Sequence, residues 1–492
     1  MTRLVLGPFN RVEGDLEVRL DVASGEVRAA HVVAPLYRGF EAMLVGRSAA
    51  DALVYAPRIC GICSVSQSVA AAAALAEATG AGAPPNGRHA INLVHAVENV
   101  ADHLTHFYLF FMPDFARPAY ATAPWYPAAA ARFAAIHGEA SAAFLPARAQ
   151  WMQMMGVLAG KWPHTLSIQP GGTTRGLDRG ALARLAGLLA GFRRFVERTV
   201  FGDRLENIAH LASSDALAAW AEAHAGSDFG RFLAIARSTR LDRLGPSIGR
   251  WMSFGGYPTA DGHAFARGLV EEGWRRPLPV EAIAEDVSHA WYGLQDGGPP
   301  TTGRTHPQLD NADAYSWCKA PRLDGRPVEV GALARQLVDG QTLIVDLVAR
   351  YGGNAATRVI ARLVETARIL LLMETWLAEI RPDETFIRHG VDPRAAGTAS
   401  RIGDASGSSG AGLSEAARGS LGHWLRLRDG RIAHYQIIAP TTWNFSPRDA
   451  TGTPGPLEQA LCGTPVRPGE TDPVSVQHVV RSFDPCMVCT VH

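Results

Sequence analysis

Four of the six cysteines fall into two Cys-x-x-Cys pairs, Cys60/Cys63 in RICGIC and Cys486/Cys489 in DPCMVC, with most of the 492-residue chain between them. Thiolates at this spacing grip a metal from one side, and two such pairs supply four sulfurs. Taken alone, the cysteines fit a structural tetrahedral zinc site as well as a redox metal, because the pattern recurs in many unrelated folds. Zinc sites that staple small folds draw cysteines from within roughly tens of residues; here opposite ends of a large body must meet. Soft thiolates also suit nickel and low-spin iron. Disulfides are a third option, and a leaderless cytosolic chain makes metal or redox chemistry the better expectation. Cys318 and Cys462 stand alone and read as buried small hydrophobes.

These groups need elements to hold them. RICGIC precedes an Ala-rich helical stretch, Ser66 to Thr79, so its thiols fall at a helix N-terminus where partial positive charge favours thiolates. DPCMVC lies near the other end, where a chain frays unless something ties it down. Helical spacing recurs over 91–111, 181–200 and 355–380. LEVRLDV and EVRAAHVV alternate around a Ser-Gly turn, which predicts a β-hairpin over 16–33. Gly/Pro-rich stretches at 169–174, 295–303 and 403–412 read as loops; the last is either a mobile surface segment or backbone thinned to approach a site. No repeat or boundary stands out. The expectation is one intertwined domain over 1–492, mainly α with small β elements (α+β).

Composition narrows the partners. Apolar residues make up 47% and charged residues 19%, as in a well-packed globular chain. With 47 basic and 47 acidic side chains, no general attraction to nucleic acid or anionic lipid is available. No apolar run reaches the roughly 20 residues of a bilayer span, so no membrane insertion is expected. MTRLVLGPFNRVEGD has no long apolar core after a basic start, and the chain reads as cytoplasmic.

An ordered set of motifs covers the chain from end to end: RVEGD at 11–15, YRGFE at 37–41, RICGIC, ADHLTHFY at 101–108, YSWCKAPR at 315–322, ARGSLGHW at 417–424, PTTWNFSPRD at 440–449 and DPCMVCTVH at the end. Together they resemble the large subunit of [NiFe]-hydrogenases, and the expected fold is that family's helical core. The resemblance implies that Cys60, Cys63, Cys486 and Cys489 bind nickel. Cys60 and Cys486 would be terminal ligands, with Cys63 and Cys489 bridging to an iron that carries carbonyl and cyanide. The substrate would be H2, split into hydride and proton.

The same resemblance assigns surrounding roles. Glu13 matches the carboxylate that passes the proton from Cys486 towards solvent. Arg418 matches the guanidinium over the open metal position, and Asp102 and Asp484 match the carboxylates that hold it. Thr441 matches the donor to one cyanide. Glu41, the Ile437 carbonyl and His492 match a magnesium site. No further cysteine cluster remains for iron–sulfur centres, so electrons would leave through an iron–sulfur small subunit.

Some positions depart from the usual pattern. Asp15 and Gln67 stand where most members have His, and Ala417 stands where Pro usually precedes the arginine. Ile62 and Phe110 replace Val and Leu on the gas route, where bulk should hinder oxygen more than hydrogen. Most members carry an extension beyond the terminal His, so this chain is either processed or encoded without one. The combination resembles the regulatory, hydrogen-sensing subgroup: slow, oxygen-tolerant proteins that report H2 to a histidine kinase. The alternative is a respiratory uptake hydrogenase, and a third candidate is a non-hydrogenase relative such as the quinone-site subunit of respiratory complex I.

Overall fold

A computed structural model describes residues 2–388 and 407–490. The N-terminal sheet is antiparallel, ordered β1 (Thr2–Leu6), β2 (Glu17–Ala23), β3 (Glu26–Val33). The hairpin expected over 16–33 is present. Its two-residue turn has positive φ at both Ser24 (55°) and Gly25 (76°), the turn geometry that follows the right-handed twist of the strands. The edge strand β1 was not anticipated, because most of its residues are exposed and carry no alternation of burial.

The helices of the body include α1 (Ser64–Thr79), α2 (Pro85–Thr105), α3 (Arg179–Phe195), α4 (Ala332–Asp339) and α5 (Ala355–Glu379). α2 and α3 each run on into a wider π turn, His106–Phe111 and Val196–Phe201. α5 starts on a capping box in which Asn354 and Thr357 satisfy each other's backbone N–H groups. A second three-stranded sheet, β4 (Arg250–Pro258), β5 (His263–Glu271) and β6 (Trp274–Arg276), packs on α4. The expected loop at 169–174 holds a minimal hairpin, Ile168–Gln169 against Gly172–Thr173.

The expected loop at 403–412 needs correction over its described part. Residues 403–406 lie outside the described residues, but Ser408–Ala416 form β7, which pairs with β8 (Gly419–Arg428) and then β9 (Arg431–Ile438). The glycines reflect contact with a helix. A Cβ at Gly410 would lie 2.1 Å from the Ala74 carbonyl oxygen, and one at Gly412 would lie 1.8 Å from that of Ala70. The Gly-rich strand and the Ala-rich α1 are complementary surfaces, each stripped of side chain so that two backbones meet.

Towards the C-terminus come α6 (Pro440–Asn444) and α7 (Val474–Ser482). Val476, Val479, Val480 and Phe483 bury against the inner face of the N-terminal sheet. Four such side chains contribute about 6–12 kcal/mol of apolar transfer before entropy is subtracted, so the segment leading into DPCMVC is anchored. The largest core runs from Phe40 to Cys489 and includes all four paired cysteines. No helix is long and apolar enough to cross a membrane, among the described residues.

Candidate metal centre

The two cysteine pairs converge. The four Sγ atoms lie within 4.8 Å of one another and are buried, with Cys60 to Cys486 at 3.5 Å, Cys63 to Cys489 at 3.2 Å and Cys486 to Cys489 at 3.0 Å. All four are free thiols. The first pair lies in the bend just before α1. The second is brought in by Asp484, whose φ of 58° turns the chain sharply after α7.

Backbone contacts fix the two loops against each other. Glu13 forms a parallel bridge with Cys486: its N–H donates to Pro485 O at 3.3 Å, and Met487 N–H donates to Glu13 O at 2.7 Å. Gly14 has φ 77°, and a Cβ there would stand 2.9 Å from the Val488 nitrogen, so this close approach requires glycine. Arg38 donates to the carbonyls of Ile59 and of Val488, at 3.2 Å for the latter, and so ties the residue before Cys60 to the residue before Cys489. Arg38 lies within the YRGFE motif, whose spacing alone assigns it no role.

The titration of this cluster points to a cation. Cys60 is held well below the ordinary thiol range because Cys486, Cys489 and Cys63 hydrogen-bond to it. Cys63 is pushed well above that range by its own hydrogen bonds to Cys486 and Cys489, and burial pushes Cys486 up. Four buried thiols cannot ionise together without a positive partner, so a soft divalent ion displacing their protons fits the donor set.

Arg418 occupies the two-residue connection between β7 and β8. Its Nε donates to Asp484 O at 3.0 Å, its Nη2 lies 3.2 Å from Asp484 Oδ1, and its Nη1 lies 2.9 Å from Asp102 Oδ2. The Asp102 contact is an ion pair without hydrogen-bond alignment. Burial disfavours the guanidinium charge, yet Asp102 and Asp484 keep Arg418 firmly protonated. Burial pushes the Asp102 carboxyl up to about 8 against the pull of Arg418. Asp484 is also desolvated, but Arg418 and His106 hold it below the usual carboxylate range.

The departure at Ala417 is compensated by Arg335, which donates to the carbonyls of Ala416 (2.7 Å) and Ala417 (3.0 Å) while paired with Glu365 and Glu415. Nothing in the spacing of α4 singles out Arg335.

Glu13 is half-buried, and its carboxyl is raised by burial and then by the charge of Cys60. Thr441, in the first turn of α6, accepts from Cys486 N–H at 3.1 Å, which leaves its own O–H to donate. Gln67 accepts from His423 at 2.7 Å, while its Nε2 is buried without a hydrogen-bond partner. Ile62 packs beside Cys60 against the main core, its N–H 3.3 Å from Cys60 Sγ. Phe110 is half-buried on the π turn, and its carbonyl accepts from Arg11 at 3.0 Å.

At the expected magnesium site, the Ile437 N–H donates to Glu41 at 2.7 Å. Lys319 Nζ lies 3.2 Å from Glu41 and 3.6 Å from Glu285, and Thr305 also donates to Glu41. A second carboxylate and a lysine that the sequence did not flag therefore surround Glu41. His492 lies outside the described residues.

A family model described as "Nickel-dependent hydrogenase" matches residues 38–143 and 140–492. The periplasmic [NiFeSe] hydrogenase large subunit of Desulfomicrobium baculatum is 30% identical, covering 100% of this chain and 95% of that one. The uptake hydrogenase large subunit of Azotobacter chroococcum mcd 1 is 28% identical over 100% and 95%. Among solved structures, the Ni-Fe-Se hydrogenase of D. vulgaris Hildenborough in the reduced state superposes with a TM-score of 0.82 at 30% identity, and that of Desulfomicrobium baculatum with 0.84 at 28%, each covering both chains fully.

Proposed function

The chain belongs to the nickel-dependent hydrogenase family, and on that premise we propose that it is the H2-activating large subunit of an uptake-type enzyme. The observation that carries the proposal is the set of four buried sulfurs within 4.8 Å, flanked by the fixed Arg418–Asp102–Asp484 triad.

Cys60, Cys63, Cys486 and Cys489 would hold a nickel–iron centre with carbonyl and cyanide ligands, and that centre would supply heterolytic cleavage of H2. All four candidate ligands are cysteine here. Arg418 presents a cation that cannot be neutralised, held from behind by two carboxylates, and it stabilises negative charge as it develops in front of it. Glu13, joined through a backbone bridge to Cys486, accepts the proton, and burial raises its carboxyl's affinity for one. Thr441 would offer its hydroxyl proton to a diatomic ligand of that centre. Glu41 would anchor a magnesium ion, which metal analysis would detect.

Among the described residues the remaining cysteines are single and apart, so electrons leave through a partner. We assign that role to an iron–sulfur small subunit, in keeping with relatives named as large subunits. Infrared spectroscopy tests the centre directly: bands of bound carbonyl and cyanide are expected, together with one nickel per chain. Nickel-free active protein would refute it.

The relatives named above are uptake and periplasmic types, and none supports a sensing role or a histidine kinase partner. The sensor reading survives on one observation: Gln67, one turn after Cys63, directs its carbonyl to His423 and leaves an unpartnered amide in the core. Asp15, Ile62 and Phe110 accompany it. Turnover decides between the two. A high rate with an artificial acceptor, lost in air, favours uptake; a low rate retained in air favours sensing.

A further inference from the structure

α1 begins one residue after Cys63, and its first N–H groups need acceptors. The N-cap is Cys63 itself, and no side chain on α1 caps the helix. The missing acceptor comes from another helix. Glu98 of α2 accepts from Val65 N–H at 2.8 Å and from Ser66 N–H at 2.9 Å. The Ser66 hydroxyl (3.0 Å) and Trp162 Nε1 (3.0 Å) donate to the same carboxylate, and His95 supports the Ser66 hydroxyl at 3.0 Å. Both carboxylate oxygens are saturated with donors. Glu98 is 3% exposed.

One helical turn further along α2 stands Asp102, which pairs with Arg418. A single rigid turn therefore carries two attachments: one to the backbone that leads out of Cys63, the other to the guanidinium opposite the sulfurs. We propose that Glu98 is a positioning residue of the metal centre, fixing the Cys63 sulfur relative to Arg418 by clamping the start of α1. The clamp acts through geometry, one carboxyl group holding two backbone N–H groups at the start of α1. This inference rests on the reading of the centre as nickel–iron.

Glu98→Gln keeps the shape but turns an NH2 group towards donors, so some of those donors lose their acceptor. The holoenzyme, with its small subunit, is the material to test. Expected for the variant are nickel content close to the parent, carbonyl and cyanide bands displaced from the parent positions, and kcat for H2 oxidation lowered about 10- to 100-fold at unchanged KM. Trp162→Phe removes one donor to the same carboxylate without changing charge, and should displace the bands in the same sense by less. Asn92→Ala serves as control: Asn92 lies on α2 but bonds the Pro258 carbonyl, away from α1. It should lower the melting temperature and leave the bands in place.

Bands and kcat unchanged in both Glu98→Gln and Trp162→Phe, with only thermal stability reduced, would overturn the proposal. If Glu98→Gln fails to fold, unmoved bands in Trp162→Phe overturn it alone. Absence of the bands from the parent protein would sink the nickel–iron reading instead, so the two failures are distinguishable.

Discussion

Replacing Arg418 by alanine puts the site's electrostatics to a direct test. The guanidinium makes one hydrogen bond to the Asp484 carbonyl and ion pairs at 3.2 and 2.9 Å to Asp484 and Asp102, and all three side chains are at most 4% exposed. Removing one partner of a buried pair strands the other, at about 3–5 kcal/mol. Once Arg418 is gone, burial favours the protonated form of Asp102, which absorbs part of that cost; the expected loss is about 3 kcal/mol, the lower end. Urea unfolding with an unchanged m value measures it. On activity, loss of a preorganised positive group facing a developing charge should lower kcat about 10²- to 10³-fold. Arg418→Lys keeps the charge but cannot span both carboxylates, and should recover most of the stability with kcat still reduced. Arg418→Ala within about 0.5 kcal/mol of the parent, or full kcat in Arg418→Lys, would refute the reasoning.

Three further outcomes are expected. Glu13→Gln should retain nickel and lose H2 oxidation by about 10²- to 10⁴-fold, read by metal analysis beside an acceptor assay; undiminished turnover would remove Glu13 from the proton route. Gly412→Ala drives a Cβ into the Ala70 carbonyl at 1.8 Å and should destabilise the protein by at least about 1–3 kcal/mol, while alanine at the open Gly156 should not lower stability. Glu458, buried beneath the N-terminal sheet, has its carboxyl pushed from 4.5 to about 7 by burial, against the bonds from Val32 and Tyr315. The folded state therefore holds that proton more tightly, so this stabilisation is full below pH 4.5 and is lost as pH rises to 7, a span worth about 3 kcal/mol. Glu458→Gln should flatten the corresponding slope in a pH series of unfolding midpoints, and an unchanged slope would show that another group causes it.

What the sequence made legible follows the range of the interactions. The hairpin over 16–33 and the helices around 91–111, 181–200 and 355–380 are short-range patterns of burial, and they appear where the periodicity placed them. The cysteine pairs were legible because their spacing is local, although their meeting is not. Residues 408–412 read as a loop because glycine signals a turn when only neighbours in sequence are considered; the cause of these glycines is Ala70 and Ala74 across a helix–strand contact. Arg335 and Glu98 were invisible for the same reason. Each is an ordinary charged residue in a helical pattern, and only the partners brought by the fold give it a task. Arg38 and Lys319 are the exceptions, since YRGFE and YSWCKAPR lay in plain view.

The bridge between Glu13 and Cys486 joins segments far apart in the order of synthesis, and the two cysteine pairs are 426 residues apart. At about 5–20 residues per second, a ribosome needs roughly 20–85 s to deliver the second pair after the first. Throughout that interval the nascent chain displays Cys60 and Cys63 as an open two-sulfur claw, and Arg418, once made, waits for Asp484. Only the later segment that carries DPCMVC supplies the other two sulfurs, the second carboxylate and the backbone that locks Glu13. Biosynthesis thus opens a timed window in which the half-built claw must be guarded from oxidants and from stray zinc or copper, and it reserves the choice of metal until the second pair has emerged.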